Sequence, residues 1–134
     1  MTEVRRTLGR AVVRSGVGLH GGATVALELR PAPFGHGCVF ETASGEVPAT
    51  LDHASAEPGA TVLAAGSATV RTPEHLLAAL AALGVTDVRL VLQGDELPAL
   101  DGSALGWVAA VDEAGRVDGP PLAPWGPTGV VRVE

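Results

Sequence analysis

Lysine and tyrosine are absent from this chain of 134 residues, and cysteine, methionine, tryptophan and phenylalanine are scarce. All nine basic residues are arginine, against fifteen acidic residues, and the net charge is −6. Nucleic-acid-binding proteins carry basic patches and often aromatic platforms, so this balance argues against a nucleic-acid partner. The single Cys38 has no partner for an internal disulfide. It is compatible with a reducing compartment, and we expect a cytoplasmic protein.

Long hydrophobic runs are also missing. No stretch approaches the roughly 20 apolar residues of a membrane-spanning helix, and residues 1–6 lack the apolar segment of a secretion signal. We therefore expect neither a transmembrane segment nor a leader. With 46% hydrophobic and 18% charged residues, the composition is that of a globular domain.

Several short segments have the pattern of β-strands. Residues 24–30 alternate apolar and polar side chains up to Pro31, which is typical of a half-buried strand. The glycine-rich residues 15–22 form a loop before it. Further strands are predicted at residues 7–14, 38–41, 47–51, 61–64, 86–93 and 130–133, and residues 68–71 lead into the first helix.

Two helices are predicted. The first runs from Pro73 to Leu83, with Thr72 as its N-cap and Gly84 after its end. It is apolar nearly all round, so we expect it to be covered on more than one side. The second covers residues 104–114. Ser103 is its predicted cap, Gly115 its end, and Leu105, Trp107, Val108 and Val111 its apolar stripe.

Strands followed by helix, strand and helix indicate an α+β fold. We expect a two-layer sandwich, with one mostly antiparallel or mixed sheet of about five strands and two helices packed on one face. Residues 1–117 form the single domain. Residues 118–134 are predicted to be a proline-rich linker and the start of a strand.

Glu74 and His75 stand side by side in the first turn of the first helix. A carboxylate there interacts well with the helix dipole, and a histidine there is ordinary. The same pair could also supply a general base and a metal ligand. A catalytic zinc usually has three protein ligands, and this helix supplies one. His36 and His53 read as solvated loop residues, whereas the glycines around His20 would allow a ligand to approach.

Three motifs carry a family resemblance. They are SGVGLHGG at residues 15–22, VRTPEHLLAALAALG at residues 70–84 and ELPALDGSA at residues 96–104. In this order and spacing they resemble UDP-3-O-acyl-N-acetylglucosamine deacetylase, a zinc amidase of lipid A biosynthesis. The resemblance covers residues 5–117. The family fold is two similar α+β sandwiches with the active site between them.

The resemblance implies roles for five residues. Glu74 matches the general base that activates water, and His75 matches the one zinc ligand of the first domain. His20 matches a residue near the substrate end of the site, and Leu63 falls where the family lines the substrate site. Asp101 matches a motif residue whose role is mainly structural.

The chain thus resembles the N-terminal half of the deacetylase, leading to a second domain that it does not contain. The remaining zinc ligands would come from that half. We therefore expect the isolated chain to be inactive and to bind zinc weakly. Expected partners are the nucleotide-sugar lipid precursor and either the second half or another copy, bound through the first helix. The alternative is a non-catalytic single-domain relative acting as a binding or regulatory module.

Overall fold

The computed structural model describes residues 3–124, 126 and 128–134. This part of the chain contains ten strands and two α-helices. The strands are β1 (Val4–Leu8), β2 (Val12–Val17), β3 (Thr24–Pro31), β4 (Cys38–Thr42), β5 (Gly45–Pro48), β6 (Ala54–Glu57), β7 (Ala60–Ala65), β8 (Ala68–Arg71), β9 (Val88–Gln93) and β10 (Arg116–Pro121). The helices are α1 (Glu74–Ala82) and α2 (Leu105–Ala114). Neither helix has the length and hydrophobicity needed to cross a membrane.

The main sheet has five strands in the order β2-β3-β9-β4-β5. All neighbours are antiparallel except β4 and β9, which are parallel, so the predicted mixed sheet is confirmed. The alternation in β3 is also confirmed. Leu27 and Leu29 are buried on one face, whereas the half-buried Glu28 and Arg30 pair with each other on the opposite face.

The two helices contribute to one hydrophobic core with the buried face of this sheet. Trp107 of α2, Leu76 of α1 and Phe40 of β4 are among its fully buried members. The α+β class is therefore confirmed. The helices also pack against each other, which covers a second side of α1. The exposed side of α1 presents small residues, including Ala78 and Ala81.

Two further sheets were not predicted. Strands β6, β7 and β8 form a three-stranded antiparallel sheet, and β1 pairs with β10 in a two-stranded ribbon. The predicted single strand at residues 7–14 is wrong, because the chain turns at Gly9 and Arg10 between β1 and β2. The Gly9 amide donates to Gly115 O at 2.9 Å, and a Cβ on Gly9 would lie 2.9 Å from Ala114 O.

The predicted linker is wrong at its beginning. Residues 118–121 belong to β10, which pairs with β1 from Val4 to Leu8. The two-stranded ribbon leaves β10 with a free edge, where prolines are tolerated. The strand predicted at residues 130–133 is also wrong, because these residues are described without strand pairing. Trp125 and Pro127, within the predicted linker, lie outside the described residues.

Both helices end as predicted, at Gly84 and Gly115, which have φ angles of 71° and 72°. Both begin differently. Pro73 precedes α1 and Ala104 precedes α2 as N-cap, in each case without a side-chain cap hydrogen bond. Ser103 Oγ still accepts a hydrogen bond from the Leu105 amide, at 3.2 Å.

The predicted apolar stripe of α2 needs one correction. Trp107 and Val111 are fully buried and Val108 is partly buried against the core, but the Leu105 side chain is 71% exposed. Leu105 is the first residue of α2. It follows a turn at residues 100–104 and therefore faces away from the sheet.

Candidate active site

Glu74 and His75 are the first two residues of α1. Glu74 is exposed and His75 is half-buried. Within the described residues, neither side chain takes part in a hydrogen bond to another side chain or to the backbone. A carboxylate and an imidazole that are accessible at a helix N-terminus can reach a ligand outside this chain's own structure.

Thr72 sets the direction in which α1 begins. Its φ angle is +58°, in the left-handed region that a β-branched residue rarely adopts. Its amide donates to Thr61 O of β7 at 2.9 Å, and its hydroxyl donates to Glu96 Oε2 at 3.2 Å. Such a conformation persists only where its surroundings hold it. Thr72 is therefore not the predicted N-cap. Its side chain is turned towards the segment after β9.

Glu96 is a buried carboxylate in that segment, with 3% of its surface exposed. Oε1 accepts hydrogen bonds from the backbone amides of His20 and Gly21, both at 3.0 Å. A Cβ on Gly18 would overlap Oε1, so this part of the loop needs glycine. Burial alone raises the pKa of Glu96, but the hydrogen bonds from Gly21, His20 and Thr72 outweigh it and leave the pKa below its usual range.

His20 lies with its ring between two acceptors. Nδ1 is 2.7 Å from Glu96 Oε2, and Nε2 is 2.9 Å from Gly59 O in the turn between β6 and β7. Only the protonated imidazole can donate from both nitrogens. The hydrogen bond to Glu96, supported by the one to Gly59, accordingly raises the pKa of His20. The side chain is 42% exposed, so the ring remains accessible.

An ion pair fixes the same β6–β7 turn from its other side. Arg71, the last residue of β8, places Nη1 2.6 Å from Glu57 Oε2. The Arg71 amide donates to Asp95 O at 2.7 Å, and its carbonyl accepts from the Leu97 amide at 3.1 Å. The turn, β8 and the segment after β9 are thus held together next to the start of α1.

Asp101 stabilises the turn before α2. Its Oδ1 accepts hydrogen bonds from the Ser103 amide at 2.9 Å and the Ser103 hydroxyl at 2.8 Å. These two bonds lower the pKa of Asp101. The geometry agrees with a structural role for Asp101.

Leu63 is in β7, opposite Val70 of β8, and is 5% exposed as part of the hydrophobic core. A role in lining the substrate site stays a prediction. The structure thus brings the His20 ring and the Thr72 hydroxyl to the Glu96 carboxylate.

The residues of this chain do not by themselves fit a zinc ion. Between residue 3 and residue 134, leaving aside Trp125 and Pro127, no group of three His, Cys, Asp or Glu side chains could hold a metal. A catalytic zinc takes three protein ligands. His75 could be one ligand, and the rest would have to come from elsewhere.

Glu96 and Thr72 are the residues of this site that the sequence did not assign. Thr72 reads as an ordinary N-cap, and Glu96 reads as one of several acidic residues in a loop. One signal was available. The glycines around His20 predicted that a ligand could approach the loop, whereas the group that the structure places against them is the Glu96 carboxylate.

Comparison with known proteins agrees with the three motifs. The family model described as UDP-3-O-acyl N-acetylglycosamine deacetylase matches residues 5–121. A UDP-3-O-acyl-N-acetylglucosamine deacetylase of Myxococcus xanthus is 43% identical over 115 residues, which cover 83% of this chain and 37% of that protein. The deacetylase of Trichormus variabilis is 42% identical over 117 residues, which cover 84% of this chain and 42% of that protein. The deacetylase of Brucella melitensis biotype 2 is 39% identical over 121 residues, which cover 87% of this chain and 42% of that protein.

The chain therefore spans about two fifths of the length of these relatives, between 37% and 42%. The family match extends four residues beyond the predicted boundary at 117, to the end of β10. It includes Glu74, His75, His20 and Glu96. The resemblance seen in the motifs is confirmed, and the chain belongs to the UDP-3-O-acyl-N-acetylglycosamine deacetylase family.

Proposed function

We propose that this chain supplies one wall of the active site of an enzyme that hydrolyses the 2-acetamido group of UDP-3-O-acyl-N-acetylglucosamine. The observation that carries the proposal is the accessible Glu74-His75 pair at the start of α1, inside the segment that matches the family. The names of the relatives indicate the reaction. The proposed setting is lipid A biosynthesis in the cytoplasm.

Glu74 is assigned as the general base. Hydrolysis of an amide needs a group that takes a proton from the attacking water, and a carboxylate within hydrogen-bond reach can do so. The Glu74 side chain is exposed, and no partner within the described residues occupies it. It is therefore free to contact a water and a substrate carbonyl.

His75 is assigned as a ligand of a zinc ion whose other ligands lie outside this chain. A bound zinc acts as a Lewis acid towards a carbonyl and lowers the pKa of water. A single imidazole does not complete such a site. The proposal therefore needs a second part of the enzyme, which is consistent with a chain that spans 37–42% of its relatives.

His20 is assigned to substrate binding. Its ring is 42% exposed, Glu96 Oε2 lies 2.7 Å from Nδ1, and the raised pKa of His20 favours the protonated, cationic form. A cationic donor of this kind suits an oxygen of the nucleotide sugar. Leu63 is kept as a lining residue, and Asp101 as a structural residue of the turn before α2.

The test is a chimera that joins residues 1–121 of this chain to the remaining part of the Myxococcus xanthus relative. Acetate release from UDP-3-O-acyl-N-acetylglucosamine is measured with zinc present. Glu74→Ala should lower kcat by about 10²–10⁴-fold, the usual contribution of a general base. Glu46→Ala is the matched control, because Glu46 is an exposed glutamate of β5, outside the proposed site.

The proposal is overturned if the folded chimera releases no acetate, or if Glu74→Ala is as active as the Glu46→Ala control. The non-catalytic alternative predicts the first of these results. Circular dichroism establishes whether each variant is folded before its activity is compared.

A further inference from the structure

Three segments that are distant in the sequence meet at the Glu96 carboxylate. The glycine-rich loop contributes the His20 amide, the His20 ring and the Gly21 amide. The residue before α1 contributes the Thr72 hydroxyl. The Glu96 segment itself is bridged to β8 through Arg71. One side chain therefore fixes both the loop that carries His20 and the entry to the helix that carries Glu74 and His75.

A buried carboxylate is costly unless its oxygens are well supplied with donors. Glu96 meets this requirement with backbone amides, a ring N–H and a hydroxyl. The ring N–H comes from a side chain that is itself exposed. A purely structural carboxylate need not hold an accessible histidine in its protonated form.

Asp87 is a useful contrast. It is also fully buried, and it accepts hydrogen bonds from Arg5, from the amides of Gly35 and Gly37, and from the Thr86 hydroxyl. These partners belong to β1 and the loops beside β4 and β9. None of them is a residue of the proposed site, so Asp87 represents a buried carboxylate with a structural role only.

We propose that Glu96 is a positioning residue of the active site. It orients the His20 ring and holds the left-handed Thr72, and through them it places His20 relative to Glu74 and His75. The link to the reaction rests on the proposed function, whereas the positioning itself does not.

The charged groups around His20 determine how its pKa should change when the Glu96 charge is removed. Glu96 faces Nδ1 and favours the protonated ring, while the cationic Arg71 acts in the opposite direction and is itself paired with Glu57. Gly59 O faces Nε2. Without the Glu96 charge, the remaining charged neighbour, Arg71, lowers the pKa of His20. The neutral ring carries one N–H and can donate to only one of the two oxygens that face it.

The first experiment follows the His20 ring of the full chain by NMR titration. In Glu96→Gln the pKa of His20 should fall towards the ordinary histidine value, and the ring signals should report a mobile ring. In the matched control Asp87→Asn, both should remain as in the wild type. An unchanged His20 titration in Glu96→Gln, or an equal change in both variants, overturns the proposal.

If Glu96→Gln does not fold, Glu96→Asp carries the same test. Aspartate restores the charge on a side chain that is one carbon shorter. We expect a His20 pKa between the ordinary value and that of the wild type. A fully wild-type titration, with a wild-type Thr72 amide signal, would show that the position of the carboxylate does not matter and would overturn the proposal.

The second experiment uses the chimera described above. Glu96→Gln should lower kcat on the order of a hundredfold, as misplacement of catalytic groups by about 1 Å does, and should flatten the limb of the pH profile that depends on His20. Asp87→Asn should leave the shape of that profile unchanged. A profile that is identical in wild type and Glu96→Gln contradicts positioning. An inactive wild-type chimera contradicts the proposed function instead, and the NMR titration still decides the role of Glu96.

Discussion

The Thr72 hydroxyl lies 3.2 Å from Oε2 of Glu96, and this contact joins the residue before α1 to the segment after β9. It stabilises a threonine whose φ angle is +58°. A left-handed conformation costs an L-residue roughly 1–2 kcal/mol, so the residue needs compensating contacts. Polar contacts to one buried carboxylate thus fix where α1 begins.

The first prediction concerns that hydroxyl. Thr72→Val keeps the size and branching of the side chain but removes the donor to Glu96. A buried acceptor that loses a partner costs about 1–3 kcal/mol, and we expect the free energy of unfolding to fall by that amount. Urea denaturation followed by circular dichroism measures it.

The control is Thr69→Val. Thr69 is half-buried in β8, three residues before Thr72, and its hydroxyl makes no hydrogen bond within the described residues. The substitution should change the stability by no more than about 0.5 kcal/mol. Equal losses in the two variants would contradict the role assigned to Thr72.

The second prediction concerns acid. Burial raises the pKa of Asp87, but the ion pair with Arg5 and the amide of Gly37 outweigh it and bring the pKa from 3.8 to about 2. Because the folded pKa lies below the unfolded one, the stabilisation is complete above pH 3.8 and is lost as the pH falls towards 2. The loss should be about 2 kcal/mol.

The measurement is urea denaturation at several pH values between neutral and strongly acidic solution, for the wild type and Asp87→Asn. The variant should be less stable at neutral pH, and its stability should decline less steeply on acidification. Glu96, whose pKa is also lowered, contributes acid dependence to both proteins. Parallel pH curves for the two proteins would be incompatible with the assigned pKa of Asp87.

The third prediction compares two leucines at similar positions on the two helices. Leu76 in the first turn of α1 is fully buried, whereas Leu105 at the start of α2 is 71% exposed. Leu76→Ala should destabilise the protein by about 2–5 kcal/mol, since it leaves a cavity in the core. Leu105→Ala should cost no more than about 0.5 kcal/mol. Thermal denaturation of the two variants tests this, and a large loss from Leu105→Ala would mean that its side chain is covered.

The fourth prediction concerns zinc. The isolated chain offers His75 but no cluster of three ligands within its described residues, so we expect weak binding. Calorimetric titration with zinc should give no tight one-to-one complex, and His75→Ala should change the titration little. The chimera should bind tightly and lose that binding with His75→Ala. Tight stoichiometric uptake by the isolated chain would contradict this account.

Much of the fold could be predicted because its signals are local. The alternation in β3 identifies a half-buried strand, and Gly84 and Gly115 mark the helix ends by their left-handed conformations. The strand predicted at residues 7–14 is interrupted at Gly9, which contacts Ala114 and Gly115, more than a hundred residues away. Local periodicity carries no information about such a contact.

The candidate site also contains residues with a local sequence signal and residues whose position depends on distant contacts. Glu74 and His75 attract attention by their place in a first turn, and His20 by the glycines beside it, but their roles come from the family resemblance and stay predictions. Glu96 could not be found by that route, because its burial depends on His20, Gly21 and Thr72, which are 24 to 76 residues away. Asp95 and Asp101 in the same loop also carry carboxylates but are exposed, so composition alone does not distinguish Glu96 from them.

The ribbon of β1 and β10 has a consequence for synthesis of the protein. Val4 pairs with Pro121, so β1 is made on the ribosome more than a hundred residues before β10, its partner and the last strand of the family segment. During that interval β1 exposes unpaired backbone groups, which other chains can bind. Arg5 and Arg6 lie on this strand, and their charges oppose such pairing until Asp87 and Asp118 arrive to neutralise them. We therefore expect the two arginines of β1 to limit pairing with other chains during synthesis and to form ion pairs in the folded protein.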